Sequence, residues 1–330
     1  MSAAAILGQD RAVTQFAAAW ATRKVHHAWL LAGPKGVGKA SFAAAAARRV
    51  LAEAAGPAFD LPLLESPADH AMVKLIDAGS HPDMRRLERL TNEKTGNLNR
   101  SIKIEQIREL GHFMGMSAAM SGWRIAVIDS IDDLEAPSAN ALLKMLEEPP
   151  PNTIFFLVSN APGKLLPTIR SRCIRLDFQA LDDDVMASIL ERDTGFGSDS
   201  ERRRIIAMAG GSVSRALAFS QLGLAKLEDS ALAILREGDP TNARRSELAN
   251  ELGKKGSAEK YAAFLDFVPA MIAREARQLE GGKRERALDA YAKARQLAAV
   301  APRVSLDPAA TVFQMGGYLA SISASPSLKR

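Results

Sequence analysis

The sequence predicts an α/β domain built on a parallel sheet, followed by a part of the chain that contains only helices. Over residues 1–180, short apolar runs alternate with segments of helical periodicity, the pattern of strands joined by crossover helices. A glycine-rich loop joins the first apolar run to a helix, an arrangement common in parallel sheets. Beyond Leu181 apolar residues recur only at helical spacing, for example Tyr261, Leu265 and Ile272.

The strands and helices of the first part are predicted from these runs in chain order. The strands cover Ala28 to Ala32, Met84 to Leu90, Trp123 to Asp129, Thr153 to Ser159 and Cys173 to Phe178. The helices cover Arg11 to Thr22, Lys39 to Glu53, Ile104 to Met116, Pro137 to Glu147 and a short segment near Lys164 to Ile169. Pro137 suits a first helical turn, where its missing N–H is no loss.

Composition excludes several classes of protein. With a single cysteine, Cys173, the 330-residue chain can form neither an intramolecular disulfide nor a cysteine-rich zinc site. No window approaches the eighteen or so apolar residues of a membrane span, so a cytoplasmic protein is expected. The net charge of +5 and pI near 9.3 are compatible with a nucleic-acid partner, although many soluble proteins are equally basic.

The glycine-rich loop has the sequence of a phosphate loop. Glycines let backbone N–H groups wrap phosphates, and a lysine meets their charge. The final position holds alanine, where a working nucleotide hydrolase has a serine or threonine hydroxyl to bind magnesium. The candidate nucleotide-binding residues of this loop are Gly33, Pro34, Lys35, Gly36, Val37, Gly38, Lys39 and Ala40.

A second defect follows the strand that ends at Asp129. Asp129 occupies the position of the carboxylate that organises magnesium, so it joins the candidate nucleotide-binding residues. The next residue should be the glutamate that orients the attacking water, but it is Ser130, which is no base near neutral pH. Asp132 and Asp133 are expected to be caps or solvent-facing charges. The sequence predicts a nucleotide pocket without its catalyst.

Two linked motifs carry a family resemblance. The first is Asn140-Ala141-Leu142-Leu143-Lys144-Met145-Leu146-Glu147-Glu148-Pro149-Pro150, and the second is Ser171-Arg172-Cys173. Together they resemble the clamp-loader subunits of the AAA+ superfamily, which help to load sliding clamps during DNA replication. The resemblance implies an AAA+ domain at 1–180, a small helical lid at 181–220 and a helical collar for oligomerisation at 221–330. Gly211 to Leu217 resembles the second sensor motif of such proteins, with the arginine displaced by one position.

The resemblance also implies a catalytic role for Arg172 in a neighbouring subunit. In AAA+ rings an arginine of one subunit reaches the phosphates bound to the next and stabilises charge on the γ-phosphoryl group. In the clamp-loader family this arginine finger is the arginine of the Ser-Arg-Cys motif. The alternative is that Arg172 caps the helix ending near Ile169 and pairs with Asp177.

The resulting hypothesis is a stator subunit of a bacterial replicative clamp loader that holds ATP or ADP without hydrolysis. Its implied partners are motor ATPase subunits and the clamp-opening subunit, with the sliding clamp and primer-template DNA contacted through the complex and no membrane involved. One alternative is an active motor ATPase of the same assembly, and another is a stand-alone DNA-binding module. Many members carry a four-cysteine zinc module, but residues 54–79 contain no cysteine, so no zinc is expected. The segment His81-Pro82-Asp83 predicts a turn with an Asx-type hydrogen bond.

Overall fold

The computed structural model describes residues 6–91, 98–193, 198–302 and 304–323. Contacts between Cα atoms divide the chain into two compact units, Met1–Val185 and Met186–Arg330. The first contains the sheet and the second contains helices, in agreement with the predicted fold class. The two units do not test the further boundary predicted between a lid and a collar at residue 220, which stays a prediction.

The first unit is built on one five-stranded parallel sheet. The strands are β1 (Ala28–Ala32), β2 (Met84–Leu87), β3 (Arg124–Asp129), β4 (Thr153–Ser159) and β5 (Ile174–Asp177). They lie in the order β2-β3-β4-β1-β5, and every neighbouring pair is parallel. All five predicted strands are present, but β2 ends at Leu87 instead of Leu90, β3 begins at Arg124 instead of Trp123, and β5 is one residue shorter at each end.

Helices cover the sheet on both faces. They are α1 (Asp10–Ala21), α2 (Lys39–Ala55), α3 (Ala71–Asp77), α4 (Ile104–Gly115), α5 (Ala136–Glu147) and α6 (Pro167–Arg170). The sequence did not predict α3, a short helix whose first turn is capped by the His70 side chain. Short 3₁₀ turns at Ile131–Asp133 and Pro162–Lys164 complete this part.

Alternate residues of the strands point into two separate cores. Trp29 and Leu31 of β1 pack with Phe156 of β4 and with residues of α1 and α2. Leu30 and Leu157, from the same strands, pack on the other face with residues of α4 and α5. The strands β1 and β4 are buried along their whole length, as expected for a parallel sheet covered on both faces.

The second unit is helical throughout the part that the structure describes. Its helices are α7 (Asp183–Asp193), which crosses the division, α8 (Asp199–Ala209), α9 (Val213–Leu222), α10 (Ala225–Glu237), α11 (Ala243–Leu252), α12 (Ala258–Ala276), α13 (Gly281–Val300) and α14 (Pro308–Ser323). Close contact between α11 and α14 depends on Gly316, where an added Cβ would lie 2.7 Å from Cβ of Arg245.

Candidate phosphate-binding site

The phosphate loop lies at the carboxyl end of β1 and leads directly into α2, as predicted. Gly33 has no room for a side chain, because an added Cβ would lie 2.2 Å from the carbonyl oxygen of Phe178. Gly36 and Gly38 have φ values of 79° and 98°, a region that favours glycine. Gly38 precedes the first residue of α2. The glycines therefore permit the backbone conformation of the loop. The loop lies at the N-terminus of α2, a position that favours anion binding.

Gln9 ties this loop to the rest of the unit. Its amide nitrogen donates to the carbonyl oxygens of Val37 at 3.1 Å and Gln179 at 2.9 Å. Its amide oxygen accepts from the backbone N–H of Gln179 at 3.3 Å. One buried side chain therefore connects the phosphate loop with the segment that follows β5.

Lys39 is buried and folded against its own loop. Its Nζ donates to the carbonyl oxygen of Gly33 at 2.8 Å and to that of Pro34. Burial lowers the pKa of Lys39 to about 8, although the carboxylates of Asp129 and Asp132 act in the opposite direction. The structure thus brings together Lys39 and Asp129, two of the three charged groups that the sequence assigns to this site, whereas Lys35 is exposed.

The carboxylate of Asp129 has a cationic partner within the chain. It ends β3, and its Oδ2 lies 3.1 Å from Nη2 of Arg86 on the neighbouring strand β2. The adjoining Ser130 donates its hydroxyl to Oδ2 of Asp132 at 3.1 Å. The group that follows Asp129 is therefore a hydrogen-bonded hydroxyl, and it offers no base to an attacking water.

Asp132 and Asp133 are not the caps or solvent-facing charges that the sequence suggests. Oδ1 of Asp132 accepts from the Ser159 hydroxyl at 2.8 Å, and Oδ2 accepts from the backbone N–H of Asn160. Asp133 pairs with Nε of Arg89 at 3.3 Å. Burial raises the pKa of Asp133, and the Arg89 charge opposes this effect. Asp132 therefore holds the carboxyl end of β4 against the turn after β3.

These groups do not fit a catalytic magnesium site. Magnesium prefers oxygen ligands in octahedral geometry and is bound in such loops by a hydroxyl and a carboxylate. At the two expected positions, Ala40 offers a methyl group and Asp129 is paired with Arg86. The hydroxyl of Ser41 is no substitute, because one step along a helix turns a side chain by about 100°.

The Ser171-Arg172-Cys173 turn lies between α6 and β5 and contacts α5. Nη2 of Arg172 lies 2.7 Å from Oε1 of Glu147, and Nη1 donates to the carbonyl oxygen of Thr168 at 2.9 Å. The second contact matches the predicted alternative of a helix cap, but the predicted pair with Asp177 is wrong, because Asp177 pairs with Arg175 at 2.6 Å. Arg172 remains partly exposed, as a group that acts on a neighbour requires.

Cys173 and Arg215 have structural contacts. The Cys173 thiol donates to the carbonyl oxygen of Ile169 at 3.2 Å, and burial raises its pKa to about 12. It is therefore a protonated thiol at neutral pH.

Arg215, the arginine of the second sensor-like motif, forms a bidentate ion pair with Asp266 at 2.5 and 2.9 Å.

The segment of residues 54–79 offers no obvious zinc ligand. Nδ1 of His70 accepts from the backbone N–H of Met72 at 3.2 Å, and Nε2 lies 3.1 Å from the carbonyl oxygen of Gly56. Nδ1 is therefore engaged in the α3 cap, and Nε2 in a contact with the residue that caps the C-terminal end of α2. Among the residues that the structure describes, no cluster of three or more histidine, cysteine or acidic residues could hold a metal ion. No helix in the described ranges has the length and apolar character needed to cross a membrane.

The turn at His81-Pro82-Asp83 forms, but the predicted Asx-type bond is wrong. The local hydrogen bond runs from the Asp83 backbone N–H to Nδ1 of His81 at 3.0 Å. The Asp83 carboxylate instead accepts from backbone N–H groups of Ala119, Met120 and Ser121 at 2.6, 2.8 and 3.0 Å. Asp83 therefore fixes the loop that precedes β3.

Comparison with known proteins identifies the family. The sequence profile of the family described as DNA polymerase III, delta subunit, matches residues 8–182, which include the phosphate loop, Asp129 and Arg172. The chain belongs to this family. It is 35% identical over 149 residues to DNA polymerase III subunit delta' of Pseudomonas aeruginosa, a match that covers 45% of this chain and 42% of that protein.

Two further relatives extend the match. DNA polymerase III subunit delta' of Haemophilus influenzae is 28% identical over 247 residues, covering 75% of this chain and 69% of that protein. DNA polymerase III subunit gamma of Buchnera aphidicola is 30% identical over 217 residues, covering 64% and 55%. The chain thus spans less than two thirds of the length of the Pseudomonas and Buchnera proteins. The predicted relationship to delta' subunits is confirmed.

Arg86 was missing from the sequence interpretation of the site, and the contacts of Asp132 and Glu147 were not predicted. Arg86, Asp132 and Glu147 each contact a group that the sequence did single out or its immediate neighbour. Arg86 carries a usable signal: the carboxyl ends of parallel strands meet at one edge of a sheet, so a cation late in one strand can reach an acid that ends the next.

Proposed function

We propose that this chain is a delta'-like stator subunit of a bacterial replicative clamp loader. It assembles in a ring with motor ATPase subunits and the clamp-opening subunit in the cytoplasm. Through that complex it helps to place the sliding clamp on primer-template DNA. The observation that carries the proposal is the combination, in a member of this family, of a defective catalytic site with a partly exposed Arg172.

The chemistry assigned to the chain is one of assembly and charge stabilisation. Ala40 and Ser130 remove the magnesium ligand and the water-orienting group, so ATP or ADP held by the loop remains unhydrolysed. Arg172 reaches the nucleotide of the adjoining motor subunit, where its planar guanidinium stabilises charge on the transferred phosphoryl group. No zinc takes part.

Omission of the chain from a reconstituted clamp loader tests this function. Clamp loading on primed DNA is followed by fluorescence, with each complete and incomplete mixture first checked for assembly by sedimentation. We expect the mixture without this chain to load clamps much more slowly than the complete mixture. Equal loading rates with and without the chain would rule out the proposed function.

An active motor ATPase is the second candidate, favoured by the match to the Buchnera gamma subunit. ATP turnover of the isolated chain, with and without primed DNA, separates the two candidates. If the chain is a stator, we expect ATP turnover at background level, equal in wild type and Lys39→Ala. Turnover that Lys39→Ala abolishes would favour the motor. A stand-alone DNA-binding module instead predicts DNA affinity of the isolated chain that falls steeply with salt.

A further inference from the structure

The cation beside Asp129 is an arginine of the same chain. Asp129 ends β3, and Arg86 precedes the last residue of β2, the strand that pairs with β3. Nη2 of Arg86 lies 3.1 Å from Oδ2 of Asp129 and 3.3 Å from Oε2 of Glu88. The guanidinium is thus in direct contact with the carboxylate that would otherwise organise a magnesium ion.

The other two carboxylates after β3 are also engaged by the protein. Asp132 accepts hydrogen bonds from the Ser130 and Ser159 hydroxyls and from the backbone N–H of Asn160. Asp133 pairs with Arg89. Arg89 lies two residues after the end of β2, the strand that contains Arg86. Asp129, Asp132 and Asp133 therefore all have donors or cations as partners, and recruiting a divalent cation to them would require breaking those contacts.

The phosphate loop retains what an anion needs. Its backbone adopts positive φ at Gly36 and Gly38, the loop leads into the N-terminus of α2, and Nζ of Lys39 lies against the loop carbonyl oxygens of Gly33 and Pro34. Oriented backbone N–H groups and a helix N-terminus bind phosphate without a metal. A guanidinium is a permanent cation with donors suited to phosphate oxygens, whereas magnesium needs oxygen ligands that this site does not offer.

We propose that this loop holds the phosphates of a nucleoside di- or triphosphate without magnesium, with Arg86 in the cation position beside Asp129. This proposal rests on the part of the proposed function in which the loop holds ATP or ADP. It concerns the isolated chain, so it holds or fails independently of the reconstitution that tests the clamp-loader role.

Equilibrium binding of a fluorescent ATP analogue to the full chain tests the proposal, at constant ionic strength in magnesium and in EDTA. Wild type is compared with Lys39→Ala and with two double variants, Ala40→Thr/Arg86→Leu and Ala40→Thr/Arg85→Leu. Arg85 is the matched control, because it lies on the same strand but its guanidinium stacks on Phe113, 4.6 Å from the ring centre. Circular dichroism confirms that each variant is folded.

Wild type is expected to bind with affinities that agree within about twofold in magnesium and EDTA, and Lys39→Ala should bind about tenfold or more weakly. Ala40→Thr/Arg86→Leu should gain a magnesium dependence of about tenfold, and the Arg85 control should gain none. Wild-type binding that needs magnesium, or no binding by folded wild type in either condition, would overturn the metal-free site. Equal behaviour of the two double variants would overturn the role of Arg86.

Discussion

Nη2 of Arg172 lies 2.7 Å from Oε1 of Glu147, so one ion pair joins the two sequence motifs that carry the family resemblance. Glu147 is the last residue of α5, and Arg172 lies in the turn after α6. A hydrogen bond from the guanidinium to the carbonyl oxygen of Thr168, at 2.9 Å, adds a second restraint. The long side chain is therefore oriented while its guanidinium stays partly exposed.

The pair between Arg172 and Glu147 is expected to contribute little to stability. Both side chains are partly exposed, at 34% and 48%, and exposed ion pairs contribute about 0 to 1 kcal/mol. Glu147→Gln should therefore change the free energy of unfolding by less than about 1 kcal/mol in urea denaturation. Glu148→Gln is the matched control. A loss of more than about 2 kcal/mol specific to Glu147→Gln would contradict a merely orienting role.

Asp83 is expected to matter far more for stability. Its buried carboxylate accepts three backbone hydrogen bonds, and Asp83→Asn would turn an amide N–H₂ toward those donors. The expected loss is about 1 to 3 kcal/mol of unfolding free energy, against little change for the exposed Asp69→Asn. Equal effects of the two substitutions would contradict this role.

The contribution of Asp83 should also depend on pH. Burial acts to raise the pKa of Asp83, but the backbone hydrogen bonds outweigh it and hold the pKa below the ordinary 3.8. A carboxylate with a lowered pKa stabilises the fold above its unfolded pKa and loses that effect as pH falls through the folded pKa. The stability difference between wild type and Asp83→Asn should thus shrink below pH 3.8. A constant difference would contradict the ionised carboxylate.

Lys39 should make stability rise with pH in the alkaline range. Burial lowers its pKa from 10.5 to about 8, so the folded protein releases this proton before the unfolded chain does. The unfolding free energy of wild type relative to Lys39→Met should be constant below about pH 8 and rise between pH 8 and 10.5. The exposed loop residue Lys35 provides the control, Lys35→Met. A relative stability that falls in this window would contradict the buried lysine.

Purified protein is expected to contain no stoichiometric zinc. A structural zinc site needs four ligands, usually cysteine and histidine, and the single cysteine of this chain donates to Ile169. Both nitrogens of His70 are engaged as well. Metal analysis after dialysis against a chelator checks this expectation. Zinc retained at about one equivalent would contradict it.

The sequence predicts the interior of the sheet better than its edge. The ends of β1 and β4 are predicted to the residue, because both are continuous apolar runs bounded by polar residues or turns. The edge strand β2 ends early, where Arg89 turns to pair with Asp133. The loop from Gly33 to Lys39 is likewise predicted, because its conformation depends on local glycine chemistry.

Contacts between residues far apart in the sequence could not be predicted from the sequence. The pair between Arg86 and Asp129 joins residues 43 positions apart, and it depends on β2 lying beside β3. Glu147 and Arg172 meet only because α5 and α6 pack together. Apolar periodicity specifies which face of a helix or strand is buried, but it does not specify which elements become neighbours.

The proposed function requires Arg172 to act on a nucleotide bound by a neighbouring subunit. Arg172→Ala should leave the protein folded and assembled, because its side chain is partly exposed and its ion pair with Glu147 contributes little. Removing an arginine finger slows its own site by about 10³ to 10⁵. Since only one of several motor sites would lose its finger, total ATPase activity should fall partially.

The most direct measurement compares wild type, Arg172→Ala and the exposed neighbour Arg170→Ala in the reconstituted clamp loader. ATPase and clamp-loading rates are measured after sedimentation has shown equal assembly. We expect a partial loss of ATPase activity and a larger loss of clamp loading for Arg172→Ala, with Arg170→Ala close to wild type. Unchanged ATPase and loading rates for Arg172→Ala in an assembled complex would contradict the arginine-finger role and leave Arg172 as a cap of α6.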